Sequence, residues 1–190
     1  MPAGSTIRGF PLTAVVYRAS FIGKASNGGI VAYLFQSGDS GYVTGETHGL
    51  VAATVDQSTR AAWITGGSTQ STLNGGTSTL IGTGLANTTA MMSQTGYEGG
   101  AAKLCADYTN ADTGTGGFSD WYLPSKDELN QLYLNLKSND LGEFSDEIYW
   151  SSSEQSATSA CIQSFDNGIQ DSTTKSLGAW NIAVRAVRTF

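Results

Sequence analysis

Histidine is nearly absent from this chain. His48 stands alone, without an HxxxH or HExxH companion. That removes the usual zinc-ligand spacings, and a lone histidine beside a glycine in a strand reads as structural. Cysteine is almost as scarce. Cys105 and Cys161 are far apart in sequence, so they make no disulfide framework and are expected as free, buried thiols. Charge is thin, at 14% of residues, with a net value of -6 and a pI near 4.6. A nucleic-acid partner would need a basic patch, so none is expected. No apolar run is long enough to span a bilayer, so no transmembrane segment is expected. The N-terminus lacks the basic-then-apolar order of a secretory signal. The expectation is either that the chain is not exported by that route or that it begins after the cleavage site. There is no phosphate loop with its lysine, no strand–GxGxxG–helix and no GxSxG elbow. Ser151-Ser152-Ser153-Glu154 offers serines but no histidine nearby in sequence. Asp39, Asp112, Asp120 and Asp166 lie in Gly/Ser/Asn-rich stretches that suit calcium, yet none has EF-hand spacing. No cofactor is therefore expected, and the missing acid–base and metal constellations favour binding over catalysis.

What the chain does have is glycine, 24 of 190 residues, with many Ser and Thr and 10% aromatics. Low charge with aromatics reads as a loop-rich folded domain, not a disordered one. Residues 1–24 read as an arm or edge strand ahead of the domain. Leu12 to Tyr17 is β-prone, and Arg8, Arg18 and Lys24 give local positive charge. Its role is either a plain first strand or an oligomerisation or attachment element. Strands are expected at 30–35, 48–55, 61–64, 148–150, 160–165 and 183–190. Residues 66–84 and 109–117 read as loops. Helical faces are expected from Leu85 to Gln94, with Met91 and Met92 as core filler, and from Ala101 to Tyr108.

The clearest stretch is Gly117 to Leu129. Pro124 discourages helix upstream, and Ser125 with Glu128 has the spacing of a capping box. Leu129, Leu132, Tyr133 and Leu136 then form one apolar stripe. Trp121, Tyr122 and Leu123 precede this helix as core plugs. Val184 and Val187 do not alternate strictly, which predicts a bulge or two-sided burial in the last strand.

At Gly117 to Leu129, with Tyr149-Trp150-Ser151-Ser152-Ser153-Glu154 and Val184-Arg185-Ala186-Val187-Arg188-Thr189-Phe190, the chain resembles a known family. It is similar to the C-type-lectin-fold domain at the C-terminus of collagen-like bacterial adhesins and in many bacterial surface and phage proteins. Gly28 to Tyr33, Gly49 to Ala53 and Ile81 to Gly84 match the usual opening of that domain, so the likeness covers roughly residues 25–190. Within the group it most resembles the variable proteins of diversity-generating retroelements, with the phage major tropism determinant a more distant relative. The resemblance implies an α+β, C-type-lectin-like (formylglycine-generating-enzyme-like) domain over residues 25–190, with two helices around a small antiparallel sheet in which the first strand, near Ile30 to Phe35, is expected to pair with the last, near Val184 to Phe190. It implies a non-catalytic receptor-binding or display protein, on a phage particle or a bacterial surface, whose ligand is a protein or glycan on a cell or host surface. The formylglycine-generating enzymes share the fold and use a cysteine pair. Neither Cys105 nor Cys161 sits in their motif, so that activity is not carried over.

In such variable proteins, diversity arises where template adenines are miscopied, most often in Asn codons. Randomising both adenines of an AAC codon cannot give Trp, Gln, Met, Lys or Glu. In the presumed variable region 155–182, Ser156, Thr158, Ser159, Cys161, Ile162, Ser164, Asp166, Ile169, Asp171, Ser172, Thr173, Thr174, Ser176, Leu177, Asn181 and Ile182 are permitted products. These are the expected ligand-contacting positions. Gln155, Gln163, Gln170, Lys175 and Trp180 are forbidden products and expected framework. Phe165 and Gly168 join the framework as a core aromatic and a turn glycine. Trp121, Pro124, Ser125, Glu128, Trp150, Glu154, Arg185 and Arg188 are expected to be structural. The arginines would either pair with acids such as Glu154 or lie in solvent. Ile162, Ile169, Leu177 and Ile182 follow neither a period of 2 nor one of 3.6, as random choice at exposed positions would give. The alternative is a satellite core beneath the loops. An invariant glycan-binding adhesin of the same fold and an enzyme are the competing readings.

Overall fold

A computed structural model describes residues 21–112, 116–176 and 181–190, without the side chains of Ala111, Asp112 and Gly116. The expectations placed on residues 1–20, Leu177 and Trp180 lie outside the described residues. Asn27 and Gly28 both take positive φ, 51° and 82°. A two-residue turn of that hand joins β1 (Ala25–Ser26) to β2 (Gly29–Leu34) in an antiparallel hairpin. β2 pairs with β3 (Gly49–Ala52), with a register shift between Val31 and Tyr33. Three α-helices and a short hairpin follow: α1 (Gly84–Met92), α2 (Ala101–Ala106), β4 (Asn110–Asp112) with β5 (Gly116–Phe118), and α3 (Lys126–Asn135). The chain then runs through β6 (Ile148–Glu154), β7 (Ser159–Ser164), β8 (Gln170–Thr174), β9 (Ile182–Ala183) and β10 (Val187–Thr189).

There are two four-stranded sheets. The first has the order β1-β2-β3-β10 and the second β8-β7-β6-β9, in which β9 runs parallel to β6. Between β9 and β10 the chain crosses from one sheet to the other. Val184 bridges Ser58, the Ala53 N–H donates to the Ala186 carbonyl, and Tyr122 bridges Val187. A strand that changes sheets is covered on both faces, which is why Ile182 to Arg188 is buried throughout. The irregular alternation of the valines carried that information.

α3 forms as its sequence dictates. The Ser125 hydroxyl accepts the Glu128 N–H, and the Glu128 carboxylate accepts the Ser125 N–H. Leu129, Leu132 and Leu136 are buried against Tyr149, Phe165 and Val187. A second cluster holds Trp63, Trp121 and Trp150. Their indole N–H groups donate to the carbonyls of Ser151, Phe118 and Ala61, so each of these three indole donors has a partner. The three plugs Trp121, Tyr122 and Leu123 are buried as expected.

Five expectations need correction. The first strand does not pair with the last, because β3 lies between β2 and β10. The α-helices are three in number among the described residues, since Ala101–Ala106 is a separate short helix that follows Gly99-Gly100. Ala61 to Ile64 is buried but is not a strand; its N–H groups go to Ile182 and Lys175 carbonyls outside any ladder. Residues 109–117 hold a hairpin, not only a loop. Met92 faces outward at 38% exposure, while Met91 fills the core. The run 66–84 is ordered, with a 3-10 helix over Gly67–Ser71.

Candidate ligand-binding face

Of the presumed variable region 155–182, the described residues hold β7, β8 and the first residue of β9, so their placement follows from β6. Three successive serines of β6 are fully buried. The Ser151 hydroxyl donates to the Cys161 carbonyl, Ser152 accepts from Asn87 of α1, and Ser153 donates to Ser78 while accepting the Lys126 N–H. Small hydroxyl side chains suit this strand because its neighbours present two carbonyls, a backbone N–H and the Asn87 amide, all of which need partners. β6 is thereby fixed to helices and loops on one side and to β7 on the other.

Glu154 ends β6 as a junction. Its carboxylate accepts the Asn74 and Gly75 N–H groups at 2.8 and 3.0 Å and pairs with the ammonium of Lys175. Lys175 is fully buried, donates also to the Thr72 carbonyl at 3.0 Å, and lies 5.1 Å from the Trp63 ring centre. Its backbone joins Thr158 and Trp63. Loop 72–75, the end of β8 and Trp63 thus meet at one ion pair. The arginines pair elsewhere. Arg185 binds Asp56 at 2.6 Å and the carbonyls of Ala53, Gly142 and Glu143, and stacks on Phe144. Arg188 grips Asp120 through two bonds and stacks on Phe118. Both are buried and each pairs with an acid as expected, but the acid is not Glu154, and the solvent-exposed alternative does not hold.

The other expected framework residues face inward. Gln163 is buried and donates to Asn130 of α3 and to the Gly168 carbonyl. Gln170 donates to the Lys126 carbonyl. Phe165 is fully buried among Tyr133, Phe144 and Tyr149. Gly168 has φ 80°, and a Cβ there would lie 2.4 Å from the Tyr133 ring. Gln155 departs from this pattern. It is exposed, although its Oε1 lies 3.7 Å from the Cys161 sulfur.

The expected contact residues that are described face outward with two exceptions. Thr158, Asp166, Ile169, Asp171, Thr174 and Asn181 are exposed, and Ser156, Ser159, Ile162, Ser164, Ser172, Thr173 and Ser176 are half-buried. Cys161 and Ile182 are buried, and their expected exposure is corrected. Cys161 turns from Ile162 to the opposite side of β7, and burial raises its thiol pKa. Ile182 instead lines a hollow of about 190 Å³ that opens on this sheet, with Ile148, Ile162, Asp171, Ser172 and Thr173. Ladder registers put Ile162 opposite both Trp150 and Asp171, and Ile148 beside Ile182. The scattered isoleucines therefore divide. Ile169 is 62% exposed at a turn, while Ile162 and Ile182 share a partly covered apolar surface.

A sequence model of a protein family, the Lcl C-terminal domain, matches residues 52–188. The chain belongs to that family. It is a family of C-type-lectin-fold variable domains of diversity-generating retroelements, and a non-catalytic, ligand-binding one. No individual curated protein is significantly similar to the chain.

In this Lcl C-terminal domain the fold is α+β, as the match requires. No described helix is long and apolar enough to cross a membrane. Among the described residues no three His, Cys, Asp or Glu side chains gather as a metal site. Asp39 accepts from the Tyr33 hydroxyl and the Gln36 N–H, and Asp120 is held by Arg188. Asp166 sits in the exposed β7–β8 turn, and the Asp112 side chain lies outside the described residues. Both thiols are free and buried. His48 spans Glu46 and the Phe190 carbonyl, and these two partners raise its pKa. Two larger hollows, of about 310 and 340 Å³, surround Phe190 and Asp39, away from β7 and β8. Ile148 is the residue of the face that sequence reasoning missed. Its strand was expected, but its exposure depends on which neighbours leave it uncovered.

Proposed function

We propose that this Lcl C-terminal domain is a display protein whose β7–β9 surface is diversified by a retroelement to bind ligands on another cell or host surface. The observation that carries the reading is the division of residues 155–176. Gln163, Gln170 and Lys175, which adenine randomisation of AAC codons cannot produce, bind inward to α3, Lys126 and Glu154. Permitted types occupy the outward positions Thr158, Asp166, Ile169, Asp171 and Thr174. A rigid frame under adaptable short side chains is the logic of antibody loops. Display would be on a phage particle or a bacterial surface. Residues 1–24 would supply oligomerisation or attachment, and avidity from several copies would raise modest single-site affinity. The domain works without a cofactor on this reading.

The test is the DNA beside the gene. The expected result is a near-copy of codons 150–190, mismatched chiefly at adenines of the copy, together with a reverse transcriptase gene. Absence of both rejects diversification and leaves an invariant adhesin of the same family. Glycan-array screening with the intact protein would then define its ligand.

A further inference from the structure

We infer that the hollow on the β6–β9 sheet is an anchor pocket for a branched aliphatic side chain carried next to a cation on a protein ligand. The inference rests on the proposal that this sheet is the ligand-binding face. Its floor is aliphatic, formed by Ile148, Ile162 and Ile182. Ala160, opposite Thr173, is the small residue that keeps this end of the floor low. Trp150 backs Ile162 from the next strand and is itself fully buried, so the floor rests on fixed core. A pocket with a rigid apolar floor receives an anchor side chain at little ordering cost.

The rim gives the charge preference. Asp171 lies directly across from Ile162, and its Oδ1 accepts the Ser172 N–H. No described cation pairs with it. From residue 147 to residue 176 the chain has one cation, Lys175. That ammonium is fully buried and held by Glu154, so it contributes no exposed positive charge. Glu147, Asp166 and Asp171 are exposed. The exposed charges that residues 147–176 bring to the apolar hole are therefore acidic, which complements a ligand with a positive group beside an aliphatic one. Among residues 155–176 the aromatic side chain is Phe165, which is fully buried. The described face offers no ring on which a sugar could stack, and this weighs against a glycan as the anchor. Trp180 lies outside the described residues.

Three small probes separate these chemistries: isopentylamine, isopentanol and methyl α-mannopyranoside. Each is titrated into the full chain with labelled isoleucine methyl groups and followed by NMR. The expected result is that isopentylamine shifts the methyls of Ile148, Ile162 and Ile182. It should bind roughly threefold tighter than isopentanol, the size expected of a half-exposed ion pair. Asp171→Asn should bring that ratio to about one, while an unmoved Ile64 methyl reports an intact fold. Equal binding of amine and alcohol to the unaltered protein overturns the charge preference. Methyl mannopyranoside shifting these methyls alone overturns the protein-anchor assignment and leaves the face as the binding site. Probes that move only Ile81, or no methyl at all, overturn the pocket itself. The DNA test of diversification is independent of all four outcomes.

Discussion

Glu128 gives the domain a pH-dependent stability that can be worked from its surroundings. The side chain is fully buried at the third position of α3. One carboxylate oxygen accepts the Gly82 N–H and the other the Ser125 N–H, both at 2.8 Å. These bonds favour the charged form, but burial outweighs them and pushes the pKa up from 4.5 to about 7. Between those values the folded chain holds a proton that the unfolded chain has released. Stability from this group is therefore complete below pH 4.5 and is lost as pH rises through 7. A gap of about 2.5 pH units corresponds to about 3 kcal/mol. His48 also has a raised pKa and moves stability in the same direction, so the comparison must cancel it. Glu128→Gln does so. Urea unfolding followed by tryptophan fluorescence, at pH 4 to 8, gives the stability difference between the two proteins. That difference should move by about 3 kcal/mol against the unaltered protein as pH rises. The glutamine should also cost about 1–3 kcal/mol at low pH, because its amide turns a donor toward the Gly82 or Ser125 N–H. A difference that stays flat within about 1 kcal/mol across the range would refute the reasoning.

Lys175→Met should destabilise by about 3–5 kcal/mol in urea, because it strands the Glu154 carboxylate in the interior. Adding Glu154→Gln should recover part of that loss, and a cost under about 1 kcal/mol for the single variant would show that the pair is not a junction. Gly45 and Gly168 have similar φ, 86° and 80°, but a Cβ meets nothing at Gly45 and lies 2.4 Å from the Tyr133 ring at Gly168. Gly45→Ala should then cost about 1 kcal/mol of backbone strain, and Gly168→Ala at least about 1 kcal/mol more in thermal melts. Alanine at Thr158, Asp166, Ile169 or Thr174 should stay within about 0.5 kcal/mol of the parent. Gln163→Ala should lose about 1–3 kcal/mol, since it leaves Asn130 and the Gly168 carbonyl short of a donor.

Local chemistry was readable without coordinates. The Ser125–Glu128 capping box, the leucine stripe of α3 and the plugs Trp121 to Leu123 depend on neighbours a few residues away, and each forms as the residues imply. The inward placement of Gln163, Gln170 and Lys175 was also signalled, because their type set them apart from their neighbours, although Gln155 of the same expected set is exposed. β8 was not accessible. Gln170 to Thr174 is a polar edge strand, identified by the ladder it makes with β7 and not by an apolar period.

Tertiary structure decided the partners. Nothing in the spacing shows that Glu154 takes Lys175, that Arg185 takes Asp56 or that Arg188 takes Asp120. These contacts join segments far apart in the chain, and several acids could have served each cation. Tertiary structure also placed β3 between β2 and β10 and turned Cys161 inward while leaving Ile162 on the hollow. A strand's sequence fixes which residues share a face, because side chains alternate. Which face is covered depends on the elements that pack there, and in this domain α3 covers one side of β7 while the other opens to the hollow.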